Sequence, residues 1–343
     1  MRQSEIYLNT SGVVPVDCAV SSSMPSLPGH ARWIDAHRDL APLAELLSMA
    51  FADRLDEEGW QTIRQLRQIA RNRAAQRYYR RREVPGAPLY GFVWEVGGRL
   101  VGNVSLILLT TSPRQYLIAN VAVDPMYRRL GIAQRLMRQA LRYARQRQAQ
   151  TLWLQVETFN QGAIRLYRAL GFEEQEVVTL WRTPPRDQTP TVVAPARDVK
   201  SHARLATAAE WSQQQEWLAA VYPQHRAWHW PLPWPRALAP TWRGMLWRLL
   251  HPAAFQQWVA RRKSRLVGVA TWVQRPHAAF DEVLLACPPL LPPADLTALL
   301  MPLRQRTDRS LRVELPRGYL AQSLTAAGFL PARHLLWMRY AVR

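Results

Sequence analysis

The amino-acid sequence predicts a mixed α/β protein made of two similar halves. Apolar segments with the two-residue period of strands alternate with segments of helical period along most of the 343 residues. The motif Arg-Leu-Val-Gly occurs at residues 99–102 and again at 265–268, and Leu-x-Val-Glu occurs at 154–157 and again at 311–314. From each of these glutamates the chain runs 14 residues to a Gly-Phe pair. An internal repeat of this kind indicates two copies of one unit in tandem.

The elements of the first half follow one another in a simple order. Runs rich in Val, Ile, Leu and Tyr indicate strands near residues 31–34, 90–96, 100–109, 116–123, 151–157 and 176–181. Apolar residues at helical spacing indicate helices near 40–51, 58–80, 133–146 and 162–170, the second of which is rich in arginine. Trp181 marks the last strand of this half, and Trp337 marks the matching strand of the other half. The proline-rich segment 184–197 is predicted to link them.

One turn of the first half has the features of an anion site. The apolar run 117–123 is predicted to be a buried strand, and it leads into a short turn that contains Gly131 and Ala133. Small residues at these positions allow a ligand to approach the backbone closely. Because a helix follows at once, the amide N–H groups of the turn and the positive end of the helix dipole point the same way. This arrangement suits a pyrophosphate.

The segment resembles the central motif of the GNAT superfamily, the acetyl-CoA-dependent N-acetyltransferases. The phosphate loop of that family reads Arg/Gln-x-x-Gly-x-Gly/Ala, and Arg128, Gly131 and Ala133 occupy those positions. Asn160, Tyr167 and the Gly-Phe pair at 171–172 are similar to the family's last helix and its turn into the next strand. An unrelated βαβ unit is the alternative, because glycine turns before helices are common. The resemblance implies two tandem GNAT-like domains, each a mixed, mainly antiparallel sheet with helices on both faces.

The resemblance also implies which residues hold acetyl-CoA. The backbone at the strand end would pair with the pantetheine arm and polarise the thioester carbonyl, through Val121, Ala122 and Val123. The turn and the start of the helix would hold the diphosphate, through Arg128, Arg129, Leu130, Gly131, Ile132, Ala133 and Gln134. Asn160 would touch the cofactor or serve only as the N-cap of its helix. No metal is expected, because His225 and His229 have ligand spacing but no third ligand is near.

Proton transfer needs an acid and a base, and the sequence offers a clear candidate only for the acid. By its match to the family tyrosine, Tyr167 is the candidate proton donor to the CoA sulfur. The alternative is that Tyr167 is only an aromatic side chain of the core. The strand 116–123 contains no carboxylate, so Asn120 is the candidate there, and it would act by holding a water. Glu157 recurs as Glu314 in the other half, which favours a structural role for both. Other acids stay open as the base, namely Glu95, Asp53, Asp56, Glu57 and Glu58.

The second half lacks the features of the anion site. It has 46 residues between the shared glycine and glutamate where the first half has 55, and the missing residues fall at the phosphate loop. Residues 287–293 read Cys-Pro-Pro-Leu-Leu-Pro-Pro, and the four prolines have no amide N–H to offer a phosphate. Arg317 and Leu324 stand where the first half has Asn160 and Tyr167. The second half is therefore predicted to keep the fold and to lack the cofactor site.

Composition limits the compartment and the partners. The formal net charge is +20, from 45 basic and 25 acidic residues, and only Lys200 and Lys263 are lysines. Such a charge attracts anions, whether coenzyme A, nucleic acid or acidic lipid, although arginine on solvated faces is the simpler interpretation. Cys18 and Cys287 form no disulfide framework and no zinc-finger spacing, which fits a reducing cytoplasm. No apolar run approaches the ~20 residues of a membrane span.

Two segments bear on the acceptor and on partners. The arginine-rich helix suits an acceptor that carries carboxylate or phosphate better than a polyamine, and a solvated helix face is the simpler interpretation. Nine of the 15 tryptophans lie between Trp211 and Trp272, and we expect them to fill the core and the interface between the halves. The alternatives are an amphipathic segment at 241–250 on a membrane surface, and aromatics that stack on nucleic-acid bases.

Together these features predict a cytoplasmic N-acetyltransferase that moves an acetyl group from acetyl-CoA to a primary amine by direct attack in a ternary complex. Residues 1–28 are predicted to be a disordered tail without a secretory pattern, 29–183 the catalytic GNAT domain, 184–197 the linker, and 198–343 a degenerate GNAT-like domain. The alternative is a non-catalytic acyl-CoA-binding module that docks on nucleic acid or an anionic membrane through its basic, Trp-rich half. The acceptor, the acyl length and the oligomeric state stay open.

Overall fold

The computed structural model describes residues 28–52, 57–79, 89–109, 114–184, 191–230, 232–250, 255–275 and 278–342. The tail predicted to be disordered lies outside the described residues, except for Pro28. The first half forms β1 (His30–Trp33), α1 (Leu40–Ala50), α2 (Glu57–Arg71), α3 (Arg73–Tyr79), β2 (Gly91–Val96), β3 (Arg99–Leu108), β4 (Gln115–Val123), α4 (Ile132–Gln146), β5 (Thr151–Glu157), α5 (Gln161–Ala169) and β6 (Glu173–Arg182). The second half forms β7 (Val199–Ala203), α6 (Ala208–Val221), α7 (Trp234–Ala237), α8 (Trp242–Leu250), β8 (Phe255–Arg262), β9 (Arg265–Val273), β10 (Phe280–Ala286), α9 (Pro293–Arg306), β11 (Ser310–Pro316), α10 (Ala321–Ala326) and β12 (Leu330–Ala341). In the described part of the chain, no helix is both long and apolar enough to cross a membrane.

Both halves contribute to one sheet. Its twelve strands follow the order β1-β2-β3-β4-β5-β12-β6-β11-β10-β9-β8-β7. The pairs β4·β5 and β10·β11 are parallel, and the other neighbours are antiparallel. Strands β7 to β12 repeat the order and the pairing of β1 to β6, which confirms the mixed fold and its two tandem copies.

The halves exchange their last strands. β12 of the second half pairs along β5 of the first, from Leu335 opposite Glu157 to Ala341 opposite Thr151. In return, β6 pairs with β11. Side chains of β12, including Leu336 and Met338, are buried in the core of the first half. The boundaries 29–183, 184–197 and 198–343 stay a prediction, and the sheet runs without a break from one half into the other.

Helices cover both faces of the sheet. Phe92 and Trp94 of β2 belong to the cluster beneath α4 and α5, whereas Val93 between them belongs to the cluster beneath α1 and α2. Alternate residues of a strand point to opposite faces, so these two helix pairs lie on opposite sides of the first half.

The repeated Arg-Leu-Val-Gly motif marks a close approach of helix to strand. A Cβ atom on Gly102 would lie 2.9 Å from Cγ2 of Ile132 in α4, and one on Gly268 would lie 3.1 Å from Cδ2 of Leu299 in α9. A side chain at either position would push the helix off the sheet. The repeat in the sequence therefore reflects the same packing in both halves.

One predicted helix is divided into two. The arginine-rich segment expected at 58–80 ends its first helix at Arg71, and the next helix begins at Arg73. Between them, the side chain of Asn72 accepts hydrogen bonds from the N–H groups of Ala74 and Ala75, at 3.0 and 3.1 Å. An asparagine that caps a new helix in this way competes with continuation of the old one.

The tryptophans between Trp211 and Trp272 are buried or half-buried, with one exception. Trp234, Trp258 and Trp272 lie in the core of the second half, and Trp228 reaches the strands shared by the halves, with its ring 5.5 Å from that of Trp337. Trp242 is the exception, because 67% of its surface is exposed.

Candidate functional site

Two parallel strands of the first half separate near their carboxyl ends. β4 and β5 pair from Gln115 opposite Thr151 to Ile118 opposite Leu154. In the described residues both strands continue beyond this point, but they no longer pair with each other. Where they separate, Asn120 has a left-handed backbone with a φ of 52°, and the register of β3 on β4 shifts by one residue. Such a bulge bends a strand. It leaves a gap between the end of β4 and β5.

The end of β4 presents backbone N–H groups to this gap. Asp124 donates its N–H to the carbonyl of Val101 in β3 at 2.9 Å. Because N–H groups alternate in direction along a strand, those of Val121 and Val123 point away from β3 and toward the gap. Ala122, between them, is buried beneath α1. The strand end predicted to pair with the pantetheine arm therefore forms one edge of the gap.

A small polar cluster supports the bulge. Asn103 donates from its amide nitrogen to the carbonyl of Asn120 at 2.8 Å and to the hydroxyl of Ser105 at 3.2 Å. The amide of Asn120 lies 3.4 Å from the same hydroxyl. Asn103 and Ser105 are almost completely buried, and Oδ1 of Asn103 has no hydrogen-bond partner among the described residues. A buried acceptor in this position suits a water or a ligand N–H group.

The turn after β4 leads to a helix end without a cap. Gly131 precedes α4 with a φ of 80°, and Arg129 also has a positive φ. The first helical bond runs from Arg135 N–H to Gly131 C=O, and no side chain in the described residues caps this end of the helix. The N–H groups of Ile132, Ala133 and Gln134 are therefore left to a ligand or solvent. No heavy atom lies within 4 Å of the position that a Cβ would take on Gly131.

Two charged side chains hold this turn in place. The guanidinium of Arg128 lies 3.4 Å from the carbonyls of Val123 and of Ala50 at the end of α1. Asp124 is buried, pairs with Arg99 at 2.7 Å, and accepts the N–H of Met126 at 3.0 Å to cap the short 3₁₀ turn Pro125–Tyr127. Arg128 thus helps to fix the shape of the loop, whether or not it also contacts a ligand. Leu130, by contrast, is 42% exposed.

The two residues predicted on the last helix of the first half have different surroundings. Asn160 is the N-cap of α5, and its side chain accepts the N–H of Ala163 at 3.3 Å. Tyr167 is buried in the cluster that also contains Val121, Val123 and Ile132. Burial raises the pKa of the Tyr167 phenol above its ordinary value, so the hydroxyl stays protonated. The structure therefore brings the phenol and the strand end to the same side of the sheet.

The carboxylates considered as bases are held in ion pairs or lie outside the described side chains. Glu95 pairs with Arg32 and Arg38, and the hydrogen bond from Arg32 lowers the pKa of this carboxyl, which makes it a poor base. Glu157 pairs with Arg333 of β12 at 2.5 Å, and Glu314 bonds to His229 at 2.9 Å. Asp53 and Asp56 lie outside the described residues, as do the side chains of Glu57, Glu58 and His225.

The second half closes the corresponding gap with its own side chains. The register places Leu285 and Cys287 of the second half where the first half has Val121 and Val123. The N–H of Leu285 is bound by the hydroxyl of Tyr222 at 3.0 Å, and the carbonyl of Cys287 accepts the hydroxyl of Tyr319 at 2.7 Å. Both backbone groups are thus satisfied without a ligand.

The helix end of the second half also differs. α9 begins at Pro293 after Pro292, so its first turn has fewer N–H groups. Asp295 lies buried in this turn and binds Arg262 at 2.6 Å, which puts a carboxylate at the positive end of the helix dipole. The second half keeps the fold, and the loss of its anion site stays a prediction.

The sequence matches a known family over this region. Residues 57–172 match the model described as the acetyltransferase (GNAT) family, and they contain the gap, the turn and both helices described above. Residues 57–172 of this chain therefore form a GNAT-family region.

Similar proteins fall in the same family. The N-alpha-acetyltransferase RimI of Mycobacterium tuberculosis is 40% identical over 78 residues, which are 22% of this chain and 48% of that protein. The ribosomal protein bS18-alanine N-acetyltransferase of Escherichia coli is 41% identical over 58 residues, 17% of this chain and 39% of that protein. An uncharacterized N-acetyltransferase of Methanocaldococcus jannaschii is 39% identical over 94 residues, 26% and 42% respectively. The chain spans less than half the length of these relatives.

Solved structures extend the likeness to both halves. A GCN5-related N-acetyltransferase from Sphaerobacter thermophilus has a TM-score of 0.60 and 13% identity, over 92% of this chain and 96% of that one. A tandem GNAT protein from the clavulanic acid biosynthesis pathway has a TM-score of 0.52 and 15% identity, over 92% of this chain and 99% of that one. At such identities the likeness concerns the fold, which is that of a tandem GNAT protein.

Three residues at the GNAT site escaped sequence analysis. Asn103 and Ser105 support the bulge, and Asp124 holds the turn. Polar residues two apart in an otherwise apolar strand are a signal for the first two, since a buried polar side chain needs a partner. The Asp-Pro pair at 124–125 is a signal for the third, since aspartate before a 3₁₀ turn commonly caps it.

Proposed function

We propose that this GNAT protein is an N-acetyltransferase that transfers an acetyl group from acetyl-CoA to a primary amine, and that only its first half binds acetyl-CoA. The proposal rests on the contrast at the strand end. The N–H groups of Val121 and Val123 face a gap, whereas in the second half the N–H of Leu285 donates to the hydroxyl of Tyr222 and the carbonyl of Cys287 accepts the hydroxyl of Tyr319. The open end of α4 suits a diphosphate in the same half.

The residues of the first half can divide the chemistry as follows. Acetyl-CoA supplies the acyl group as a thioester. The amides of Val121 and Val123 are placed to pair with its arm and to stabilise negative charge on the thioester oxygen. The amine nitrogen attacks the carbonyl carbon, the C–S bond breaks, and Tyr167 gives its proton to the departing sulfur. Asn103 and Asn120, at the bulge beside the same strand end, would hold a water that passes the proton of the amine on to bulk solvent.

The names of the relatives suggest the first acceptors to test. They describe enzymes that acetylate α-amino groups, in one case the alanine of a ribosomal protein. Exposed arginines on α2, such as Arg67 and Arg71, favour an acceptor with acidic groups near its amine. A panel should therefore begin with peptides that have an N-terminal alanine and acidic residues after it.

The second candidate is a non-catalytic acyl-CoA-binding module. One observation favours it: in the described residues, the side chains at the bulge are neutral and no carboxylate joins them. Turnover of any amine would exclude it.

Calorimetric titration of the intact chain with acetyl-CoA tests the proposal. We expect one site, abolished in Gly131→Trp because the new side chain would occupy the space in front of the helix end and strain the backbone. Gly318→Trp is a matched control, since Gly318 has a similar φ of 86° and the same open surroundings in the second half. Two sites, or equal loss in both variants, would contradict a single site in the first half. No binding would remove the enzymatic function altogether.

A further inference from the structure

The outer face of α8 is apolar and exposed. Five of its nine residues are large hydrophobics with between 45% and 72% of their surface exposed: Trp242, Met245, Leu246, Leu249 and Leu250. At positions i, i+3, i+4, i+7 and i+8 they form one continuous stripe along the helix. No other helix or strand of the described chain carries more than one exposed large hydrophobic side chain, and a single one needs no explanation, but a stripe marks an interaction site.

The opposite face of the helix is fixed to the protein. A Cβ on Gly244 would lie 2.2 Å from the carbonyl of Ala239, so only glycine permits this approach. Arg248 donates to the carbonyls of Ala237 and Ala239 at 2.9 and 3.1 Å, and Trp247 packs against the core of the second half. The stripe is therefore held outward by packing on the inner side.

The surroundings of the stripe are basic. Between Glu216 and Asp281 the sequence contains nine arginines and lysines and no acid, so this segment has a formal charge of +9. On β8, Arg261 and Arg262 pair with acids from outside the segment. Arg236 and Arg243 are exposed and have no acidic partner in the described part of the chain.

We propose that α8 docks the protein on an anionic lipid bilayer. The stripe would enter the boundary between headgroups and acyl chains, Trp242 would lie at that boundary, and Arg236 and Arg243 would meet lipid phosphates. The proposal is independent of the acetyltransferase function.

Two other occupants fit the observations less well. Nucleic acid offers phosphates to the arginines and bases to Trp242, but it has no counterpart for the aliphatic surface of Leu246, Leu249 and Leu250. A second copy of the chain would cover the aliphatic surface, but it would bring the exposed Arg236 and Arg243 of both copies close together.

Sedimentation of the intact protein with lipid vesicles at physiological ionic strength tests the proposal. We expect binding to vesicles of phosphatidylcholine with phosphatidylglycerol and weak binding to phosphatidylcholine alone. The double variant Trp242→Gln, Leu249→Gln should weaken binding by at least about tenfold, because two apolar side chains no longer leave water. Leu290→Gln is the matched control: Leu290 is 91% exposed in the second half, away from the stripe, and its replacement should leave binding unchanged.

A second readout needs no variant. Brominated acyl chains should quench part of the tryptophan fluorescence of the unaltered protein on anionic vesicles. Equal binding by the double variant and the unaltered chain would overturn the proposal. So would a double variant that loses RNA binding but keeps vesicle binding, or one that changes from dimer to monomer in light scattering.

Discussion

The ends of β4 and β10 occupy equivalent places in the two halves, but their backbone groups have different surroundings. In the first half, the N–H groups of Val121 and Val123 face a gap that a bulge at Asn120 holds open. In the second half, the register of β9 on β10 has no such shift at this point, and the backbone of Leu285 and Cys287 is bound by tyrosine hydroxyls. Buried backbone groups need partners, so a half that gives up its ligand must supply replacements. The proposal that the second half lacks a cofactor site therefore rests on Tyr222 and Tyr319, which supply these partners.

The largest change in rate is expected when Tyr167 of the first half is replaced, and a matching replacement of Tyr222 in the second half should leave the rate unchanged. Tyr167→Phe should lower kcat by about 10²- to 10⁴-fold, because the departing sulfur loses its acid, while acetyl-CoA still binds. Tyr222→Phe removes the hydroxyl that binds Leu285 N–H and should cost stability without changing kcat. Equal kinetic losses in both variants would erase the distinction between the halves.

The pH dependence sharpens the same point. Since burial raises the pKa of Tyr167, the phenol remains protonated beyond the pH at which a free phenol ionises. The rate should therefore rise with pH as the acceptor amine loses its proton, with a midpoint near pH 8 for an α-amine and higher for a lysine, and it should not fall near pH 10. If the midpoint of the pH–rate profile were the same for an α-amine and for a lysine, an ionisable base of the enzyme would control the rate. The neutral cluster at the bulge provides no such base.

The shared sheet predicts a large effect on stability. Trp337 on β12 is buried between the halves, where its ring lies 6.2 Å from that of Trp153 and 5.5 Å from that of Trp228. Trp337→Ala should lower the free energy of unfolding by about 3–5 kcal/mol. Trp242→Ala, at an exposed position, should change it by about 0.5 kcal/mol or less. In urea, circular dichroism and fluorescence should report one transition, and two separate transitions would mean that the halves are independent.

The smallest expected effect converts a residue of the first half into its counterpart. Val269 occupies the place of Asn103 in the second half, so Asn103→Val removes the bonds to Asn120 and Ser105 and introduces the side chain of the counterpart. We expect kcat/KM to fall by about thirtyfold, because the two lost hydrogen bonds each contribute about 1 kcal/mol to the position of the strand end. Thr271→Val is the control: it breaks a similar bond to Gln257 in the second half and should leave kcat/KM unchanged.

Local patterns predicted the elements of the first half, and long-range pairing was beyond their reach. Strand 151–157 and helix 133–146 were predicted within a residue of their bounds, because their apolar periods are regular and a glycine turn begins the helix. The break at Asn72 was missed because asparagine is tolerated in helices and its capping bonds appear only in three dimensions. The gap depends on the bulge at Asn120, whose left-handed backbone rests on Asn103, 17 positions earlier. The exchange of β6 and β12 leaves no local signal, since either order buries the same apolar residues.

The exchanged strands also govern when the first half can complete its part of the sheet. Glu157 and Leu335 are neighbours in the sheet but are synthesised 178 residues apart (335 less 157). At a synthesis rate of about 5–20 residues per second, β5 waits roughly ten seconds or more for β12, while the apolar surface that β12 covers stays exposed. Contacts of such long range are slow to form, and a partly made chain presents strand edges to its neighbours. The half to which we assign acetyl-CoA is thus the half whose sheet is completed last, and a chain interrupted before β12 exposes the apolar surface of that half to chaperones and proteases.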